Sequence, residues 1–312
     1  MTPELFHEIE RSGAAVDLSD RVKLRLKGAD HVRYLNGQVT NDVRKALAGS
    51  AALHACVTNA KGRIEGDVFI HTPPEGDALC LDAEPVLKES LQARLDRYIV
   101  ADDVELDDVS DEMCLWHFFG PAAENIYQHR QTESSYLVRN SRLGVAGVDL
   151  WFRRGLDAPS LKCRMLSAEN METLRIIRGI PRWPNELNGS AFPQEAGLES
   201  SAMDFSKGCY IGQEVLSRIK TTGKMPRVLV RWNLRSAEKI VIQQTNHVRL
   251  HARSEDGSPK EIGTVTSACV HPSLDRCMGL GYVRQGFEVA HSLLLADTDE
   301  PNIHHDVEIH RT

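Results

Sequence analysis

The sequence predicts an α+β fold that ends in a C-terminal antiparallel β-domain, and three features carry the prediction. Strand-like and helix-like patterns mix over the first 225 residues without regular βαβ alternation. Beyond Met225 only short alternating stretches follow, at the spacing of a small antiparallel barrel or sandwich. The length of 312 residues suits about two domains, so residues 1–225 and 226–312 are taken as separate units.

The first clear element is Arg21–Lys27, which alternates strictly. Val22, Leu24 and Leu26 fall on one side and Arg21, Lys23, Arg25 and Lys27 on the other, as in a half-buried strand. Gly28 ends it, and Asp30 is placed to cap a helix carrying Val32 and Leu35. Val57 and the run Val68–Ile70 read as strands around the turn Asn59-Ala60-Lys61-Gly62. Leu87, Leu91 and Leu95 recur every four residues and predict a helix over 83–98, with Asp82 as its cap. Another helix is expected over 167–178, stopped by Gly179 and Pro181. In the C-terminal part Val228, Val230, Trp232 and Leu234 alternate with polar neighbours, as do Val248, Leu250 and Ala252. Two further strands, Ile262–Val270 and Met278–Val283, follow the turn Glu255-Asp256-Gly257-Ser258.

Composition narrows the function classes. Hydrophobic residues make up 41% and charged residues 26%, and 37 Lys and Arg against 44 Asp and Glu leave a net charge of −7. That balance argues against a globally basic nucleic-acid binder and against a cationic membrane-surface protein. No apolar run approaches the roughly 18 residues of a membrane span. The N-terminus has neither a basic nor an apolar leader-like stretch, so a cytoplasmic protein is expected. Seven scattered cysteines without a CxxC pair argue against a disulfide scaffold or a zinc ribbon. No metal site is expected, and His304, His305 and His310 are read as a C-terminal tail. Charge is uneven: residues 218–253 carry nine Lys and Arg and one acid, while 101–112 carry seven acids and no base. These are either solvated faces or, for the basic stretch, a site for a polyanion such as a polyglutamate tail or an acidic partner.

The densest local pattern is Lys207-Gly208-Cys209-Tyr210-Ile211-Gly212-Gln213-Glu214-Val215. Two glycines flank a cysteine and supply backbone freedom that a packed strand does not need. A helix expected over 213–220 places Cys209 near a helix N-terminus with Lys207 close by, and both favour the thiolate. The competing reading is a small buried hydrophobe, the usual fate of a free cysteine. Upstream, Phe192-Pro193-Gln194-Glu195-Ala196-Gly197-Leu198 holds Glu195 between turns of small residues. A carboxylate held rigidly there accepts paired hydrogen bonds from a planar amidine-like edge such as a pterin, or is a solvated loop glutamate. In Lys61-Gly62-Arg63-Ile64-Glu65-Gly66-Asp67-Val68, Asp67 either sits at a pocket rim or caps the turn.

At these residues the sequence resembles the YgfZ/GcvT family of folate-binding proteins, related to the T-protein aminomethyltransferase of glycine cleavage. The blocks GADHVRYLNGQVTNDV (28–43), TNAKGRIEGDV (58–68), RGIP with PQEAGL (178–198), KGCYIGQEV (207–215) and IGTVTSACVHPSLDRCMGLGYV (262–283) stand in the family order. The resemblance implies a GcvT-like, multi-lobed fold around a central folate-accommodating opening, closed by a C-terminal β-barrel domain. It implies tetrahydrofolate or a one-carbon derivative as cofactor, with Glu195 contacting the pterin and Lys207 and Tyr210 in the folate-binding set. Cys209 falls on the cysteine typical of the YgfZ-like branch, which supports iron–sulfur enzymes. Aminomethyltransferases resemble G-x-I-x-D-D where this chain has Gly62-Arg63-Ile64-Glu65-Gly66-Asp67, so only the second acid is kept. Both departures point to the iron–sulfur-linked branch.

The function this resemblance implies is a tetrahydrofolate-binding accessory factor for assembly or repair of iron–sulfur enzymes, which supports tRNA modification indirectly. Cys209 and Asp67 would be its catalytic residues. Its partners would be iron–sulfur assembly proteins or client enzymes, without direct nucleic-acid or membrane binding. One cysteine cannot hold a cluster, which usually takes four protein ligands, so any cluster contact would be shared in trans. The alternative is a folate-dependent aminomethyltransferase of the glycine-cleavage type, with Asp67 as acid/base and Glu195 as pterin anchor.

Overall fold

The computed structural model describes residues 1–47, 51–126, 134–156, 163–234, 248–253, 258–288, 293–297 and 304–312. The chain opens with α1 (Pro3–Ser12) and β1 (Ala14–Asp17), then leaves β1's sheet to build a second one. That excursion runs through β2 (Val22–Lys27), α2 (His31–Gln38), α3 (Arg44–Leu47), β3 (Leu53–Thr58) and β4 (Ile64–His71). It ends with β5 (Leu79–Ala83), α4 (Lys88–Asp96) and β6 (Glu105–Asp108). The chain then returns through β7 (Met113–Phe119), α5 (Pro121–Ile126), β8 (Ser135–Arg139), β9 (Gly147–Arg153) and β10 (Met165–Leu166). The two five-stranded sheets have the orders β10-β1-β7-β9-β8 and β3-β4-β5-β2-β6, and only the β1–β10 pair in them is parallel.

One face of the second sheet is apolar and lies under α2 and α4. Leu24, Leu26, Val57, Val68, Ile70 and Leu81 pack there with Leu35 of α2 and with Leu91 and Leu95 of α4. The leucine spacing thus reports the helix face that is buried, although the helix starts later than expected. A short 3-10 turn, Pro85–Leu87, precedes α4, and Asp82 lies inside β5 instead of capping the helix.

The opposite face of that sheet is polar yet buried, because it packs on the first sheet. Arg21 and Lys23 are 5% and 0% exposed, so the basic side of β2 does not face water. Lys23 Nζ donates to the carbonyls of Ser19 and Arg21, and burial pulls its ammonium down to about 8. Arg21 donates to Asp82 at 2.5 Å and to Glu84. Asp82 also takes a two-pronged contact from Arg142, at 2.9 and 2.6 Å, and Arg142 binds Asp149 of β9 at 2.8 Å. Asp149 stands directly across β7–β9 from His117, whose Nδ1 lies 2.8 Å away, and Asn140 completes its shell. Beside this cluster His71 of β4 meets Tyr136 at 3.1 Å and the Trp151 ring at 4.6 Å between centroids.

After β10, α6 (Ala168–Ile177) is capped by Ser167, whose hydroxyl accepts from the Asn170 amide. A connection containing the one-turn α7 (Glu199–Ala202) leads to α8 (Gln213–Thr222). Six strands follow: β11 (Arg227–Leu234), β12 (Val248–Arg253), β13 (Pro259–Val270), β14 (Cys277–Arg284), β15 (Leu293–Asp297) and β16 (His304–Arg311). They pair antiparallel in the order β11-β14-β13-β12-β15-β16, and β16 pairs back onto β11. The histidine-rich C-terminus is therefore a strand, with Val307 and Ile309 in the apolar interior of the ring, and not a loose tail. The basic stretch is divided. Arg218, Lys220 and Lys224 are exposed, Arg227 and Arg231 of β11 turn partly inward, and Arg235 and Lys239 lie outside the described residues. Among the described residues no helix is long and apolar enough to cross a membrane.

A second buried polar cluster fastens the ring to the sheets. Glu186, 0% exposed, accepts from Arg175 of α6 at 2.8 Å and from Thr266 and Ser267 of β13, each at 2.6 Å. Tyr282 of β14 donates to its carbonyl at 2.9 Å.

Removing one partner of a buried, fully paired ion cluster strands the others. Arg142→Met is expected to destabilise the chain by about 3 kcal/mol, because Asp82 and Asp149 are left buried and uncompensated. Urea unfolding measures it, and adding Asp149→Asn should recover part of the loss. Burial alone would raise the Asp149 carboxyl, but Arg142 and the His117 hydrogen bond outweigh it and hold it well below the usual range. This contribution is present above the unfolded value of about 3.9 and is lost as pH falls through and below it.

Candidate functional site

The β3–β4 hairpin decides where the candidate chemistry points. Its turn is tight: the Asn59 side chain accepts from the amides of Lys61 and Arg63 at 3.0 and 3.1 Å, and Gly62 adopts φ +73. Side chains alternate across each strand, so the hairpin has two unlike faces. Ala55, Val57, Val68 and Ile70 enter the apolar core under α4. His54, Cys56, Asp67 and Phe69 lie on the other face, where His54 pairs with Phe69 and Cys56 with Asp67. His54 and Asp67 are thus diagonal cross-strand neighbours, close enough for long side chains to meet. His54 Nε2 lies 2.5 Å from Asp67 Oδ1. The imidazole also stacks on Phe69, with centroids 4.6 Å apart and planes at 13°, and the Arg142 guanidinium sits 4.4 Å from the Phe69 centroid.

These side chains open onto a cavity of about 970 Å³ between the two sheets and the 180–201 connection. Leu143, Val148, Met171, Ile180 and Leu198 give it apolar walls. Its polar lining includes His54, Asp67, Arg21, Glu84, Arg142 and Arg182. Arg21 and Arg182 both hold Glu84, the latter at 3.0 Å, so much of this charge is already matched. The volume is ample for a bicyclic ligand with a tail, and the mix of apolar wall and a few convergent polar groups is that of a small-molecule site.

Of the residues singled out by sequence, Asp67 alone lines this cavity. Glu195 is fully buried at the seam with β11, where Oε2 accepts from the Phe192 amide at 3.0 Å and from Arg227 at 3.3 Å. Its carbonyl receives the Leu229 amide, so the residue ties the connection to the strand ring, and Oε1 has no hydrogen-bond partner among the described residues. Lys207 is buried and donates to the carbonyls of Asn36, Val39 and Asn41, at 2.5, 2.7 and 2.8 Å. With its donors committed at the end of α2, it is not the cation that would activate Cys209, and burial pulls it down to about 8. Tyr210 is buried 5.0 Å from that ammonium, and burial pushes its phenol up to about 12. Cys209 itself is exposed, just ahead of α8, on a loop pinned by Ile211 to Gly37 and to the Thr58 hydroxyl. Among the described residues no group of three or more His, Cys, Asp or Glu is arranged to hold a metal.

His54 was not singled out by sequence. Its signal was present, because a histidine two positions from Cys56 shares a face with it, opposite the alternating Ala55 and Val57. The 13-residue separation from Asp67 hides the contact until the hairpin register is known. The same register explains Gly66, where the aminomethyltransferase pattern carries an acid. Position 66 faces the apolar core: a Cβ there would lie 3.0 Å from Leu91 Cδ1 of α4 and 3.6 Å from Val57 Cβ. A carboxylate at 66 would enter that core and not the cavity. Gly66→Asp is accordingly expected to lose about 3 kcal/mol of stability in urea unfolding, with no gain of one-carbon turnover.

Comparison with known proteins supports the fold described above. Residues 5–154 match the model of the GCVT N-terminal domain. The chain is 26% identical to the aminomethyltransferase of Rubrobacter xylanophilus over 313 residues, covering 91% of this chain and 80% of that protein. It is 29% identical to the aminomethyltransferase of Geobacillus kaustophilus over 309 residues, covering 89% and 81%. Its fold matches the crystal structure of the glycine cleavage system aminomethyltransferase T from Bartonella henselae. The TM-score there is 0.81 at 17% identity, over 97% of this chain and 87% of that one. Together these similarities show a GcvT-like fold, with residues 5–154 similar to the GCVT N-terminal domain.

Proposed function

We propose that the chain binds tetrahydrofolate or a one-carbon derivative in the central cavity and moves the one-carbon unit between folate and an amine. This is chemistry of the aminomethyltransferase type. The observation that carries the reading is the His54–Asp67 pair on the wall of a 970 Å³ cavity, in a chain similar to aminomethyltransferases over about nine-tenths of its length. Folate supplies the nitrogen that takes up the one-carbon unit. The chain's task is to hold the ligand against its apolar walls and to manage the proton on the reacting amine. Asp67, with His54, is assigned that proton. Glu195, buried outside the cavity lining, braces the connection to β11, as Lys207 and Tyr210 brace the neighbouring loop.

This reading takes precedence over the iron–sulfur accessory role for a geometric reason. The missing acid at position 66 was one of two arguments for that role, and position 66 does not face the cavity. The remaining argument is Cys209, which keeps the accessory role as a second reading because it is exposed on a rigidly pinned loop. In that role the thiol meets a partner protein that supplies the other cluster ligands.

Anaerobic calorimetry with tetrahydrofolate tests the first reading. The wild type is expected to bind it. Asp67→Asn should bind with affinity changed only slightly, while losing about 100-fold in aminomethyl turnover from a lipoylated carrier. A wild type that gives no binding heat sinks the proposal. The second reading is tested by Cys209→Ser in cells lacking the protein. The accessory role requires iron–sulfur enzyme activity to stay low while the purified variant still binds folate. Full recovery removes the thiol from the function.

A further inference from the structure

We infer that His54 is the group that exchanges the proton with the ligand amine, through Nδ1, while Asp67 orients its ring. The inference rests on the one-carbon reading of the cavity and assigns its proton to a particular atom. An ionised carboxylate only accepts hydrogen bonds, so the proton in the 2.5 Å contact belongs to Nε2 of His54. In the neutral ring the lone pair then lies on Nδ1, which makes no hydrogen bond among the described residues. The ring is held in that orientation twice, by Asp67 at one edge and by the stack on Phe69 at one face. Phe69 in turn packs against Arg142, which the paired Asp82 and Asp149 immobilise. Asp67 is less suited to meet the ligand directly. It is buried and its Oδ1 is taken, whereas His54 is half-buried on the cavity wall.

The step balances without any oxidant or reductant. As the ligand amine forms its bond to the one-carbon unit, that carbon's bond to its departing amine breaks, with the electron pair going to the departing nitrogen. The ligand amine's N–H bond breaks and its electron pair stays on nitrogen. The proton passes to Nδ1, giving an imidazolium whose charge Asp67 offsets, and leaves to the departing amine or to water. The other charged groups around the pair are largely neutralised. Glu199, on the α7 segment packed against β3, is held by Lys220. Arg21, Glu84, Arg142, Arg175 and Arg182 around the cavity are held in ion pairs, and Arg139 and Glu124 complete the charged lining.

Two measurements on the full-length protein test the assignment. Long-range proton–nitrogen spectra are expected to show His54 protonated at Nε2 with Nδ1 bare, and Asp67→Asn to lose this preference. With tetrahydrofolate and an aminomethyl-loaded lipoyl carrier, His54→Gln should keep KM within about threefold, lower kcat about 10²- to 10³-fold and abolish the fall in rate on acidification. Asp67→Asn should slow turnover but keep that acid limb. A dominant Nδ1–H form in the wild type overturns the inference, as does a His54→Gln enzyme with the wild-type pH profile. If His54→Gln does not fold, His54→Asn takes its place, and the wild-type spectrum decides without either variant. A wild type that binds no tetrahydrofolate in calorimetry overturns the cavity reading and this inference together, whereas binding with an unchanged pH profile overturns the inference alone.

Discussion

A single guanidinium, that of Arg142, joins the two sheets and props the wall of the cavity. It lies buried between Asp82 of one sheet and Asp149 of the other, and its face rests on Phe69 beside His54. A buried charge is tolerated only where it is paired and its hydrogen bonds are met, so the three residues constrain one another. The pairing does not stop there. Asp82 shares Arg21 with Glu84, Glu84 and Glu172 share Arg182, and Glu172 shares Arg175 with Glu186, which reaches β13 through Thr266 and Ser267. One unbroken chain of opposite charges thus runs from the inter-sheet interior to the C-terminal ring. Networks of this kind are costly when half-made and specific when complete. The relative placement of sheets, connection and ring follows from completing it.

That network also explains which parts of the structure were legible in the sequence. Apolar periodicity located β2, the β3–β4 hairpin, α4 and α6, because in each the apolar face is the one packed under a helix or sheet. Alternation could not report what covers the other face. Arg21 and Lys23 look like a solvated strand edge until the distant strand β5 pairs beside them with Asp82 and Glu84, and the other sheet, reached by non-local return of the chain, covers them and supplies Asp149. Asp82 misled for the same reason, since an acid before a leucine repeat has the local pattern of a cap while its partners lie 61 and 60 residues away. The C-terminal histidines were read as a tail because their strand pairs with β11, far away in sequence.

The candidate site divides along similar lines. Asp67 was found because turn and strand are local, and the turn aims it. Its partner His54 was missed because the contact depends on hairpin register, which a bulge between Val57 and Thr58 shifts by one residue. Glu195 and Lys207 were recognised as special, and both are, but the structure uses them to hold loops in place. Each satisfies backbone groups that would otherwise be stranded in the interior: the Phe192 amide by Glu195, and three carbonyls at the end of α2 by Lys207. A residue pattern that looks like a binding motif can therefore arise from the need to close a loop without unpaired backbone polar groups.

The two positions at which the chain departs from the aminomethyltransferase pattern lie away from the cavity. Gly66 meets α4 beneath the sheet and Cys209 lies exposed ahead of α8, while His54, Asp67 and Phe69 line the cavity from the opposite side of the hairpin. A change at 66 acts on packing, and a change at 209 acts on what the surface can meet. Neither alters the groups that face a ligand inside. Cavity chemistry and surface thiol can accordingly vary independently on this fold. A change of the outer loop therefore leaves the interior as it is, and the interior is where the His54–Asp67 pair stands.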